Sequence, residues 1–135
     1  YGEGGGFKGW NCRHDWFPFV EGISKPEYTA EQLAHIDPPP FQYEGKTYTA
    51  YEATQQQRKI ERAIRSTKRK LIGFDAAGDK EAYTTASVKL RGLRDSYSNF
   101  SKAANLPTQD DRHRVVGFGR KEAAKARQAA KNAKP

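Results

Sequence analysis

The sequence predicts a mainly α-helical fold whose centre is a long antiparallel helical hairpin. Two apolar stripes run through residues 49–104 with alternating spacings of three and four residues, which is the pattern of packed helices. Only the pair Gly78-Asp79 separates the two stripes, and so short a joint makes consecutive helices antiparallel. Around this hairpin we expect an aromatic extended N-terminal segment, a small β-hairpin and a basic C-terminal helix.

The N-terminal segment, residues 1–48, is aromatic and poor in helix formers. Its opening glycines make the chain flexible, and its prolines disfavour helix. Thr29 can cap a short helix that continues to about Ile36, after which three prolines at 38–40 form a stiff extended spacer. The closely spaced large aromatic residues are Trp10, Trp16, Phe17 and Phe19.

A β-hairpin is predicted for residues 41–48. Gly45 supplies the positive φ angle that a tight turn requires, and aromatic residues stand on both sides of it. The alternative is a loop whose aromatic side chains dock on the helices.

The first long helix is predicted to run from about Ala50 to Ala77. Thr49 and Glu52 have the spacing of a capping box, and Gly78 can adopt the left-handed conformation that ends a helix. Its inward positions are predicted to be Ala53, Gln57, Ile60, Ile64, Thr67, Leu71 and Phe74.

The second long helix is predicted to begin after Asp79, which has a side chain suited to an N-cap. Its inward positions are predicted to be Tyr83, Ala86, Leu90, Leu93, Tyr97, Phe100 and Ala104. Two such stripes bury a modest apolar area, so something must cover the hairpin. We expect the cover to be the aromatic N-terminal segment or a neighbouring subunit.

Residues 105–135 form a third segment, which opens with a turn at Asn105-Leu106-Pro107. The stretch from Thr108 to Asp111 fits a loop or a short helical start. Residues 121–134 consist mostly of Ala, Lys, Arg and Gln, which favour helix, but alanines are the only apolar stripe. We predict a basic helix here, with fraying into solvent as the alternative.

Composition narrows the class of protein. The 135 residues carry a formal net charge of +8, which indicates an acidic partner. The charge is uneven, with a net of −3 in residues 1–48, +6 in 49–104 and +5 in 105–135. The sequence contains no apolar run long enough to span a membrane and no visible secretion signal. It has no Met and begins at Tyr1, so we expect a piece of a longer protein.

Cys12 and His14 are the residues that come nearest to a metal site. A zinc site needs about four ligands, and this sequence offers only one Cys and three His. The same pair would need an orienting group to act as a nucleophile and base. We therefore predict no metal, no cofactor and no catalytic residues, with Cys12 and His14 as weak metal-ligand candidates.

A dense basic cluster lies within the first long helix. Four of its arginines, at positions 58, 62, 65 and 69, follow helical spacing and should form one exposed stripe beside the apolar seam. Such a stripe can lie along a nucleic-acid backbone, meet an acidic protein surface, or simply keep a thin helical hairpin soluble. The predicted binding residues are Arg58, Arg62, Arg65, Lys68, Arg69 and Lys70.

Several motifs in order resemble the phage minor capsid protein 2 family, which is related to the Mu F-type head morphogenesis proteins. The resemblance begins at Gly9-Trp10-Asn11-Cys12-Arg13-His14 and covers roughly residues 9–125. The further matching motifs are Phe17-Pro18-Phe19, Ile23-Ser24, Tyr28-Thr29, Asp37-Pro38-Pro39-Pro40-Phe41, Tyr48-Thr49-Ala50-Tyr51-Glu52-Ala53-Thr54-Gln55, Ala76-Ala77-Gly78-Asp79-Lys80, Phe100-Ser101-Lys102-Ala103-Ala104 and Gly117-Phe118-Gly119-Arg120.

The resemblance implies the C-terminal part of a structural minor capsid protein of a tailed bacteriophage. Such a protein would act in head assembly near the portal and in DNA delivery, without enzymatic chemistry in this region. It would reside in the virion head, assembled in the bacterial cytoplasm, with portal or other capsid proteins as partners and self-association as a further expectation. The alternatives are a basic nucleic-acid-binding module that contacts packaged DNA and, third, a fragment of a phage-borne effector or toxin.

Overall fold

The computed structural model describes residues 4–6, 8–9, 12 and 15–133. The chain divides into two compact units, and the division falls between Ile36 and Asp37 in the sequence. In the described residues the order of elements is α1 (Ala30–Ala34), β1 (Phe41–Tyr43), β2 (Lys46–Tyr48), α2 (Ala50–Ala77), α3 (Lys80–Ala103), a 3₁₀ helix (Asp110–His113) and α4 (Arg120–Asn132). The predicted mainly α-helical fold with a long helical hairpin and a small sheet is confirmed.

The first unit contains one short helix and irregular chain. α1 begins with a capping box in which Thr29 Oγ1 accepts from the Gln32 amide at 3.1 Å and Gln32 Oε1 accepts from the Thr29 amide at 2.8 Å. Residues 15–20 form neither helix nor strand, as predicted for an extended segment, and the large apolar side chains there are exposed.

The β-hairpin lies in the second unit. Its two strands pair antiparallel with Tyr43 opposite Lys46, so Glu44 and Gly45 alone form the turn. Both turn residues have positive φ, 49° and 77°, which is the backbone geometry of a tight type I′ hairpin. The hairpin is anchored on the end of α3, because the rings of Tyr43 and Tyr48 each lie 5.3 Å from that of Phe100 in edge-on contacts.

Local signals set the boundaries of α2 and α3. The Thr49 amide donates to Glu52 Oε2 and Thr49 Oγ1 accepts from the Glu52 amide, so the predicted capping box is present. Gly78 has φ +73° and ends α2, and Asp79 Oδ1 then accepts from the Ala82 amide to begin α3. Both predicted helices and their reversal are confirmed.

The core lies between these two helices, and most predicted inward positions are buried. Ile64, Leu71, Leu90 and Phe100 are among its most buried side chains. Phe74 and Leu93 are half-buried at its margin. The heptad stripes therefore predicted the packing surface of the hairpin.

The cover of the hairpin differs from the expectation. The aromatic β-hairpin contributes to it, but residues 105–133 also fold back, with the 3₁₀ helix against α2 and α4 against α3. The alanines of α4 act as its apolar stripe, since Ala126 and Ala130 are buried. Small side chains let a helix approach its neighbour closely, so this alanine-rich segment packs although it has no large apolar residue.

Candidate functional site

Four cationic side chains form an exposed face on α2, and we call this the α2 basic face. It consists of Lys59, Arg62, Arg69 and Lys70, all of which are exposed. At 3.6 residues per turn these positions span about 100° of the helix circumference. None of the four makes an ion pair with a carboxylate in the described part of the chain. The face is therefore a patch of uncompensated positive charge.

The expectation that all four arginines form one exposed stripe is wrong for Arg58 and Arg65. Both are half-buried, and Arg65 donates a hydrogen bond through Nη1 to the carbonyl oxygen of Arg112. Arg58 Nε is buried and has no hydrogen-bond partner among the described residues. Arg65 therefore lies where the 3₁₀ helix folds against α2.

Lys68 is also displaced from the predicted surface, because only 6% of it is exposed. Its Nζ donates to the carbonyl oxygen of His113 and lies 3.5 Å from the Nδ1 of the same residue. The Phe118 ring lies 5.6 Å away, close enough for a cation–π contact. Burial lowers the pKa of Lys68, and the nearby Arg94 guanidinium lowers it further. Lys68 therefore connects α2 to the 3₁₀ helix.

Glu61 completes a buried polar network that the sequence analysis missed. Tyr97 donates from its hydroxyl to Glu61 Oε1 at 3.2 Å, and the same hydroxyl oxygen accepts from the Gln109 amide at 2.9 Å. Burial raises the pKa of Tyr97, which keeps the hydroxyl protonated as a donor. Glu61 and Lys68 are seven residues apart, beside the apolar seam of α2. This heptad spacing was the sequence signal that an element other than α3 also packs against α2.

The weak metal-ligand candidates do not form a described site. Cys12 is half-buried, and His14 lies outside the described residues. Among the residues that the structure describes, no group of three or more His, Cys, Asp or Glu side chains could hold a metal ion.

Within the same part of the chain, none of the helices has the length and apolar character needed to cross a membrane.

Comparison with known proteins identifies the family. A family model described as phage minor capsid protein 2 matches residues 1–102, which span the N-terminal segment, the β-hairpin, α2 and nearly all of α3. No curated protein and no solved structure matches the chain. The family match covers well over half of the 135 residues, and it includes the motifs that carried the resemblance up to that point. The chain therefore belongs to the phage minor capsid protein 2 family.

Proposed function

We propose that this minor capsid chain acts in head assembly near the portal, where the α2 basic face docks on an acidic surface of the portal or another capsid protein. Membership in the family indicates a structural role in the phage capsid, association with other capsid proteins and a place in the virion. Assembly in the host cytoplasm and a part in DNA delivery belong to the same proposal.

The observation that supports this proposal is the unpaired state of the α2 basic face. The four side chains are exposed and have no carboxylate partner in the described residues, whereas Lys125, on another helix, pairs with Asp75. Unpaired cations on a rigid helix attract an acidic surface over a distance of about 10 Å at ordinary salt. Such complementarity mainly raises the rate of association and sets the orientation of docking.

The test is a variant in which Lys59, Arg62, Arg69 and Lys70 are all changed to Gln. Gln is a good helix former, so helix content and melting temperature should stay close to those of the unchanged protein. Binding to purified portal or to heads of the same phage should weaken, with the association rate falling most at low salt. Surface plasmon resonance over a series of salt concentrations measures both quantities.

The matched control removes the same charge elsewhere. Four exposed lysines outside the α2 basic face serve for this, and all are changed to Gln: Lys80, Lys89, Lys102 and Lys121. Equal loss of binding in both variants would show that binding depends only on net charge. That result would contradict docking through the α2 basic face.

The same pair of variants tests the nucleic-acid alternative. If the α2 basic face binds packaged DNA, duplex affinity should fall steeply with salt, and the slope should drop by roughly one unit per lost phosphate contact. Weak duplex binding that is the same in both variants, together with weakened portal binding in the α2 variant, supports the protein partner.

A further inference from the structure

A recessed pocket of about 670 Å³ lies where α2, α3, the 3₁₀ helix and the start of α4 come together. Each of these elements contributes polar or charged side chains to its walls. Four cations line the pocket against a single carboxylate, that of Asp110. The cations are Lys68, Arg94, Arg114 and Arg120. The pocket lining includes none of the four residues that define the α2 basic face.

Three of the four cations make no direct ion pair among the described residues. Arg114 pairs with Asp111 at 2.8 Å, but Lys68, Arg94 and Arg120 make no ion pair in the described residues. The hydrogen bonds of Lys68 go to neutral acceptors of His113. Positive charge from three separate elements thus converges on one cavity and exceeds the single negative charge of Asp110.

A buried ring nitrogen in the same wall makes no hydrogen bond within the described part of the chain. His113 is 9% exposed, and its Nε2 is fully buried without a hydrogen bond. Asp110 Oδ1 lies 3.2 Å from this nitrogen, and the two groups form an ion pair when the imidazole is protonated. Buried ring nitrogens usually make a hydrogen bond, so His113 Nε2 is a further donor for a ligand oxygen in this pocket.

The start of α4 adds backbone donors. Its N-cap is Gly119, which has no side chain that could accept from the amides of the first turn. Glu122 Oε2 accepts only from the Gly119 amide, at 2.9 Å. Gly119 and Arg120 line the pocket, so the N-terminus of this 13-residue helix borders it, with the Glu122 carboxylate bound at the same end.

We propose that this pocket binds a phosphate group, either free phosphate or the terminal phosphate of a nucleotide. A terminal phosphate is a tetrahedral dianion, which matches several converging cations and a helix N-terminus better than a carboxylate with one charge. Arg94 can bind two of its oxygens at once, and Lys68 supplies a compact charge at the buried end. An internal phosphodiester carries one charge between two sugars and fits a recess poorly.

The charges around the pocket are consistent with this ligand. Besides burial, the Arg94 charge lowers the pKa of Lys68, and the Lys68 and Arg94 charges lower that of His113. Asp110 opposes the shift of both pKa values, and Glu61 opposes that of His113. A bound dianion would relieve this mutual repulsion and stabilise the fold by mass action.

The experiment is isothermal titration calorimetry of the full chain with inorganic phosphate, and separately with adenosine 5′-monophosphate, at constant ionic strength in chloride. Saturable binding of one phosphate per chain is expected. Arg94→Gln and Arg120→Gln should each weaken phosphate affinity about tenfold, the usual worth of a charge-assisted hydrogen bond. Both side chains lie outside the buried core, so the test does not depend on replacing Lys68.

Lys89→Gln is the matched control, because Lys89 is exposed on α3 and does not line the pocket. Binding of both ligands identifies a terminal-phosphate site, and binding of inorganic phosphate alone identifies a free-phosphate site. The proposal is overturned if neither ligand saturates, if all three variants bind alike, or if an acidic peptide or an unphosphorylated duplex binds the pocket more tightly. These results do not depend on whether the α2 basic face binds a portal.

Discussion

Lys68 and His113 illustrate how a small helical domain holds polar side chains in its interior. Lys68 reaches past the apolar seam to the carbonyl oxygen of His113, and the ring of Phe118 covers its ammonium group. The Tyr97 ring packs edge-on against the His113 imidazole at 5.3 Å. These contacts replace only part of the hydration that the two groups lose, because neither is fully satisfied by an opposite charge.

The first prediction concerns acid stability and His113. Burial and the neighbouring Lys68 charge lower the pKa of this imidazole below its ordinary value of 6.5, Arg94 acts in the same direction, and Asp110 and Glu61 oppose them. The unfolded chain therefore binds a proton more readily, so the contribution to stability is present above pH 6.5 and is lost as the pH falls through the folded-state pKa.

His113→Gln should reduce the loss of unfolding free energy between pH 7.5 and pH 5, as measured by urea denaturation at each pH. His35→Gln is the control, since His35 is exposed, and its pH profile should follow that of the unchanged protein. Parallel profiles for all three proteins would mean that His113 does not titrate differently in the fold.

Among the helices and strands, the reversal between α2 and α3 depends most on a single residue. Gly78 has φ +73°, and its amide donates to the carbonyl oxygen of Asp75, while the next amide, of Asp79, donates to that of Phe74. This pattern caps the last turn of α2 and directs the chain into α3. A Cβ added at this position would contact no neighbouring atom of the described residues. Any loss of stability on substitution therefore comes from the backbone conformation.

The second prediction tests whether replacing Gly78 costs free energy through its backbone conformation and not through side-chain packing. Gly78→Ala should destabilise the fold by about 1 kcal/mol, because a residue with a Cβ pays that much to adopt the left-handed conformation. Gly73→Ala, in the exposed interior of α2 and equally free of neighbours, should stabilise it by up to about 1 kcal/mol. Thermal unfolding of both variants gives the two signs, and the same sign for both would contradict this account of the joint.

Across the chain, the segment after α3 completes the core of the second unit. The hairpin alone leaves one flank of its seam uncovered, and residues 105–133 close that flank with Leu106, Phe118 and the alanines of α4. The family match ends at residue 102, yet the packing continues beyond it. The C-terminal segment is thus part of the folded unit.

The third prediction tests this closure at two alanines of α4. Ala126 is buried and Ala124 is exposed, although they are only two residues apart. Ala126→Glu should cost about 2–4 kcal/mol of unfolding free energy, because the larger side chain overpacks the contact and its carboxylate loses water without a partner. Ala124→Glu should change stability by less than about 0.5 kcal/mol. Equal urea midpoints for the two variants would show that α4 does not pack.

Local features of the sequence were sufficient to predict the helical hairpin of α2 and α3. The caps at Thr49 and Asp79, the reversal at Gly78 and the burial of Ile64 and Leu90 all depend on residues a few positions apart. Capping bonds and helical periodicity involve residues a few positions apart, so the local sequence is enough to predict these features.

The exposure of the basic cluster depended on contacts that no local pattern contains. Residues 105–133 fold back over α2, bury Lys68 and engage Arg65, and leave Arg62 and Arg69 in solvent. An alanine-rich basic helix has the same composition whether it frays into solvent or packs on a neighbour. Only the tertiary docking of residues 105–133, which brings His113 to Lys68 across 45 positions of the chain, distinguishes the exposed cations from the buried one.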